Sequence, residues 1–166
     1  MSEFVKEYHK LIDNKNNIKF MKIAIDNSNK SDGGPFGAVI TKNNKVIANG
    51  NNKVTIDNDP TAHAEIVAIR NACKAFNDFN LSECVLYTSC EPCPMCLSAI
   101  YWSRIPVVYY ANTRQDAASI DFDDQKIYDE IPKKIEDREL KMIRIEDTNA
   151  YETFQNWKNN LNKIHY

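Results

Sequence analysis

Cys84-Val85-Leu86-Tyr87-Thr88 runs straight into Ser89-Cys90-Glu91-Pro92-Cys93-Pro94-Met95-Cys96, and this join decides the fold. The first five residues read as a short buried strand. After Pro92 a helix opens and runs towards Trp102, with Cys93 and Cys96 three residues apart at its start and pointing the same way. The positive end of that helix favours thiolate over thiol.

The alternation of strand and helix continues on both sides. Upstream, Phe20, Ile23 and Ala24 form the apolar stripe of a helix that ends before Ser31-Asp32-Gly33-Gly34. Strands over Pro35 to Thr41 and Val46 to Asn49 flank the polar turn Lys42-Asn43-Asn44-Lys45, which reads as a hairpin. Around Pro60, Asp59 and Thr61 are N-cap candidates for a helix with Ala62, Ile66, Ile69 and Ala72 in register, presenting His63 and Glu65 near its first turn. Downstream come a strand over Pro106 to Ala111, a strand around Lys141 to Ile145 and a last helix from about Tyr151 to Asn162. There is no internal repeat. The pattern predicts an α/β fold, a three-layer α/β/α sandwich with a central mixed sheet, whose ligand site lies where strands hand over to helix starts. Residues 1–17 read as a polar, Asn- and Lys-rich extension, frayed or loosely helical, and 18–166 as one domain.

His63, Cys93 and Cys96 are three metal ligands, and Glu65 is a carboxylate left over beside them. Zn²⁺ takes imidazole and thiolate readily. A structural zinc takes four protein ligands, whereas three leave a tetrahedral position for water, whose pKa falls to about 7. The expectation is one zinc per chain. Taken singly, a Cys-x-x-Cys pair is equally a redox motif and a lone His a core or surface residue. The combination with Glu65, two residues after His63, favours the metal.

H-x-E followed by P-C-x-x-C is a recognised signature of zinc nucleobase deaminases. Gly33-Gly34-Pro35-Phe36-Gly37-Ala38-Val39-Ile40, Asn58-Asp59-Pro60-Thr61-Ala62-His63-Ala64-Glu65 and Leu86 to Cys96 resemble the cytidine deaminase-like superfamily. Asp116-Ala117-Ala118, Phe122-Asp123-Asp124 and Ile127-Tyr128 are most similar to its bacterial guanine deaminase branch. The similarity runs from about Phe20 to Tyr166, with the loop around Asn29 to Asp32 shorter and Asp121 standing where glycine is usual. The resemblance implies hydrolytic deamination of guanine to xanthine and ammonia, in purine catabolism or salvage, with Glu65 moving the protons. It implies Phe36 and Trp102 as aromatic walls, Asn52 hydrogen-bonding the purine edge and the Ala64 backbone against the ring. Asp124 would accept from the guanine amino group or ring N–H and assist its proton transfers. It further implies a homodimer in which residues from about Tyr151 onward cross to the partner and bring Tyr166 over the pocket. Apart from the resemblance, Phe36 and Trp102 read as core aromatics, Asn52 as a turn residue and Asp124 as a helix cap. A cytosine, nucleoside (guanosine among them) or tRNA adenosine deaminase would share the metal set, and a zinc-folded interaction module is the reading outside enzymes.

Composition narrows these. The chain has 166 residues, 43% hydrophobic and 27% charged, and a formal net charge of −2 with no cluster of Lys and Arg. That favours a small uncharged substrate over a nucleic-acid strand, whose phosphates need basic neutralisation. No apolar run reaches the roughly 20 residues of a membrane span. Met1 to Lys10 carries no apolar leader core, so a cytoplasmic location is expected. Five cysteines fit reduced thiols, with Cys73 and Cys84 as small core residues and Cys90 near the site.

Overall fold

The computed structural model describes residues 14–165, so residues 1–13 of the expected extension and the terminal Tyr166 lie outside the described residues. Four strands form one mixed sheet: β1 (Gly37–Lys42), β2 (Lys45–Asn51), β3 (Val85–Cys90) and β4 (Val107–Asn112), in the order β2-β1-β3-β4. β1 runs antiparallel to β2 and β3, while β3 and β4 are parallel. The hairpin closes at Asn43 and Asn44, with φ of 50° and 58°. Two successive left-handed residues make the turn whose twist suits a two-residue hairpin, and Asn tolerates it best after Gly.

Helices cover both faces. On one, Phe20 and Ala24 of α1 (Asn14–Asn29) pack on Val39, Val85, Tyr87 and Val107. On the other, Ala64, Ala68 and Ala72 of α3 (Ala64–Phe76) and Ile100 of α4 (Pro94–Trp102) pack on Ala38, Ile40, Ala48 and Leu86. The three-layer α/β/α sandwich is therefore the observed fold. α1 already includes residues 14–17, so the described part of the polar extension is helical. Among the described residues, no helix is long and apolar enough to cross a membrane.

Two expectations about element ends change. The Asp59 carboxylate accepts from the Thr61 amide at 2.8 Å and its hydroxyl at 2.6 Å, capping a turn in place of a helix. Lys53 N–H donates to Ala62 O at 2.9 Å, which ties Ala62 outside the helix, and the N-cap falls at His63. Sequence patterning also passed over α2 (Val54–Asp57) and α5 (Arg114–Ala118), each too short to show a helical period.

The chain divides between Asp124 and Gln125 into two compact units. The second unit contains α6 (Gln125–Glu130), a single 3₁₀ turn (Ile135–Asp137) and α7 (Ala150–Asn159). Within it the Arg138 guanidinium donates to Ile131 O at 2.9 Å and Lys133 O at 3.2 Å. The strand expected at Lys141 to Ile145 does not form. Its isoleucines favour a strand, yet no neighbouring edge pairs with them among the described residues, and Ile143 is left 85% exposed. α7 matches the expected last helix but ends at Asn159, so Phe154 and Trp157 lie on it and Leu161 just beyond it, all three exposed.

Gly50 sets how close α3 comes to the sheet. A Cβ there would lie 2.1 Å from Ala64 O and 2.6 Å from Ala68 N, both rigid helix backbone. Any side chain must push the first turn of α3 outward. Gly50→Ala is expected to destabilise the fold by about 1–3 kcal/mol, the usual range for overpacking, in a denaturant titration, and to lower metal content because His63 sits at the displaced end. An unchanged midpoint would show that helix and strand are not in this contact.

Candidate metal centre

Two helix starts converge at the C-terminal end of β3. His63 is the N-cap of α3 (φ −65°, ψ 157°) and Cys93 the N-cap of α4 (φ −64°, ψ 168°), both extended and neither using its side chain as a cap. Pro94 at the first helical position of α4 fixes the turn that follows. Cys96, one helical turn on, is fully buried and joins Cys93. His63 Nδ1 lies 3.6 Å from Cys93 Sγ and 3.5 Å from Cys96 Sγ, and the three ligand atoms fall within 4.8 Å of one another.

Zinc bonds of about 2.05 Å to nitrogen and about 2.3 Å to sulfur, meeting at the tetrahedral angle, separate N and S by about 3.6 Å. The observed spacings match that figure, so the three side chains stand where a tetrahedral ion would draw them. Their protonation agrees. The Cys96 thiol and His63 hydrogen-bond to Cys93 and hold its thiol far below the usual cysteine value, at about 4. That thiolate, together with burial, pushes Cys96 up. His63 is raised by its bond to Cys93. The hydrogen bond between the two cysteines and their burial thus oppose ionisation of the second thiol. A divalent ion supplies the charge that lets the second ionise.

Glu65, in the first turn of α3, is 6% exposed, and burial pushes its carboxyl above the usual range. Oε1 accepts from Thr88 Oγ1 at 3.3 Å, while Oε2 accepts from Cys96 Sγ at 3.5 Å. The carboxyl thus reaches the ligand cluster without belonging to it. Asp124 is half-buried, and burial together with the charge of Cys93 raises its carboxyl, which puts it within electrostatic reach of the same centre.

The remaining predicted site residues fall in two groups. Phe36 packs edge-on against Phe122, ring centres 4.9 Å apart. The Asn52 amide N–H donates to Phe36 O at 3.0 Å, while its side-chain oxygen accepts from Val54 N at 3.0 Å, so Asn52 is a turn residue that also braces Phe36. Ala64 is buried beside the ligands as the first residue of α3. Trp102 stands apart, 67% exposed at the last residue of α4. Nine residues of helix, about 13 Å at 1.5 Å each, separate it from Cys93.

Sequence reasoning missed Thr88 and Glu91. Glu91 Oε2 accepts from Arg114 N at 3.1 Å, and Cys90 Sγ lies 3.6 Å from Thr113 O, tying the cysteine loop to the start of α5. That helix opens with a capping box between Thr113 and Asp116, and its T-x-x-D pattern was a legible signal. Asp121, standing in for a glycine, adopts a left-handed φ of 68° immediately before Phe122.

Residues 14–112 match the family described as the cytidine and deoxycytidylate deaminase zinc-binding region. The sequence is 51% identical to guanine deaminase of Bacillus subtilis (strain 168) over 144 residues, 87% of this chain and 92% of that protein. An X-ray structure of guanine deaminase from Bacillus subtilis superposes with a TM-score of 0.87 at 48% identity, covering 93% of this chain and 99% of that one. The tRNA-specific adenosine deaminase of Aquifex aeolicus is 44% identical over 46% of this chain and 51% of its own length. A solved structure in complex with 2,6-diaminopurine matches at 32% identity and a TM-score of 0.63, over 65% of this chain and 62% of that one. With the metal ligands, the fold and the sequence in agreement, the chain belongs to the zinc-binding cytidine and deoxycytidylate deaminase family.

Proposed function

We propose that this chain hydrolyses the amino group of guanine, releasing ammonia and xanthine. The observation that carries this reading is the extent of its likeness to the Bacillus subtilis guanine deaminase, which spans 92% of that protein and continues beyond the family's zinc-binding region. The likeness to tRNA-specific adenosine deaminases is shorter, 46% of the chain for the Aquifex aeolicus enzyme and 66%, at 35% identity, for that of Haemophilus influenzae. The formal net charge of −2 also suits a neutral base better than a phosphate backbone.

Zinc held by His63, Cys93 and Cys96 supplies Lewis acidity and a water of lowered pKa, hence a nucleophile at neutral pH. Glu65 is the proton carrier: it would move one proton from the attacking water to a ring nitrogen and a second, from the hydroxyl added to the ring carbon, to the leaving amine. Asp124 accepts from the guanine amino group or ring N–H. Phe36, braced by Phe122, forms a flat wall for the purine, and the backbone of Ala64 borders it. Asn52 reads the purine edge. An unliganded, buried carboxyl beside the metal favours catalysis over a purely structural zinc.

Within this reading the active form is a cytoplasmic homodimer. Phe154 and Trp157 of α7, with Leu161 just beyond its end, are exposed and need a surface to cover them. The partner chain provides that surface, and the C-terminal segment brings Tyr166 over the pocket to exclude water.

Four measurements test these statements. Metal analysis of purified protein should find about one zinc per chain, and Cys93→Ala should lose it and soften the fold; zinc-free wild-type protein would remove the basis of the mechanism. Guanine should release ammonia faster than guanosine, cytosine or adenine assayed in parallel. Glu65→Gln should keep zinc and bind purine while kcat falls by about 10² to 10⁴, and near-normal turnover would mean that protons travel another way. Removing residues 163–166 should lower kcat/KM for guanine with zinc content intact, whereas an unaffected kcat/KM would free the C-terminus of any closing role.

A further inference from the structure

Side chains along β3 alternate between the two faces of the sheet. Val85 and Tyr87 face α1, whereas Leu86 faces α3 and α4. Thr88 is the next residue on the face of Leu86, opposite Ala38 of β1 and Tyr110 of β4 in the strand register. It is 1% exposed. Valine has the same branched shape and suits a buried strand as well, without a hydroxyl that costs free energy to bury unless it is hydrogen-bonded. Shape alone therefore gives no reason for threonine here. The hydroxyl's contact supplies one: Thr88 Oγ1 donates to Glu65 Oε1 at 3.3 Å, between residues 23 apart in sequence.

The two oxygens of Glu65 thus have different neighbours. Oε1 is anchored on the sheet by Thr88, while Oε2 points to the ligand cluster, 3.5 Å from Cys96 Sγ. The terminal torsion of a glutamate is broad and roughly two-fold, so steric packing by itself leaves the carboxyl plane poorly fixed. A hydrogen bond to one oxygen fixes it. We propose that Thr88 is a positioning residue for the deamination read above, anchoring Oε1 so that Oε2 is held towards the reacting atoms. The role rests on Glu65 being the proton carrier of that reaction. Thr88 itself is not one of the three ligand residues.

Thr88→Val and Thr88→Ser separate positioning from space-filling, because valine keeps the shape and loses the hydroxyl while serine does the reverse. Positioning predicts that Thr88→Val lowers kcat for guanine on the order of ten-fold, as small misplacements of a catalytic group do. KM and zinc content should stay at wild-type values, and Thr88→Ser should restore kcat to within about two-fold. Space-filling predicts the opposite ranking, with serine the worse of the two. Wild-type kcat in Thr88→Val, or equal losses in both variants, would overturn the proposal. Crystal structures of the zinc-loaded variants answer the same question without any substrate, so an error in the assigned reaction is told apart from an error in the role of Thr88. The carboxyl of Glu65 should stay within hydrogen-bond reach of the serine hydroxyl in Thr88→Ser, and should rotate or spread over two orientations in Thr88→Val. An unmoved carboxyl in Thr88→Val would refute the anchoring.

Discussion

Three ligand atoms from two helix starts must meet within a few ångströms, and much of the first unit serves that meeting. His63 and Cys93 are both N-caps, placed where the chain is still extended and the following helix has begun to aim its amides. N-cap side chains usually satisfy those amides themselves. Here both are diverted to the centre, so neither helix has a side-chain cap, and stability is conceded to hold a metal. The positive ends of two helix dipoles then lie beside the cluster, where they favour thiolate and carboxylate.

The sheet makes the convergence possible. α3 approaches so closely that a Cβ at Gly50 would strike its backbone, and the small residues Ala64, Ala68 and Ala72 line the face in contact. With α3 fixed in this way, Glu65 is buried between the sheet and the cysteines. A buried carboxyl is expensive unless it is hydrogen-bonded or charge-compensated. Thr88 supplies the hydrogen bond and a bound cation the charge, so the residue that looks least favourable in the core is explained by the chemistry around it.

The metal set was legible because its chemistry dictates both residue types and spacing: His63, Glu65, Cys93 and Cys96 meet as the sequence implied. The hairpin at Asn43-Asn44 and the layered α/β fold were legible for the same kind of reason, since local turn chemistry and alternating patterns carry them. What escaped depended on partners far along the chain. Ala62 is held outside its helix by Lys53, nine residues earlier in the chain, and Thr88 acquires meaning only when Glu65 lies above it. Lys141 to Ile145 carries strand-favouring isoleucines without an edge to pair with among the described residues, which no local pattern can reveal. Short helices such as α2 and α5 lack a hydrophobic period, although the Thr113 and Asp116 capping box marked one of them.

The central claim is a three-ligand zinc beside an unligated carboxyl, and a crystal structure of the zinc-loaded protein, phased at the zinc edge, tests it most directly. The account predicts tetrahedral zinc bonded to His63 Nδ1, Cys93 Sγ, Cys96 Sγ and one water, with Glu65 within hydrogen-bond reach of that water. A fourth protein ligand, whether the carboxylate of Glu65 or the thiolate of Cys90, would contradict it and make the ion structural.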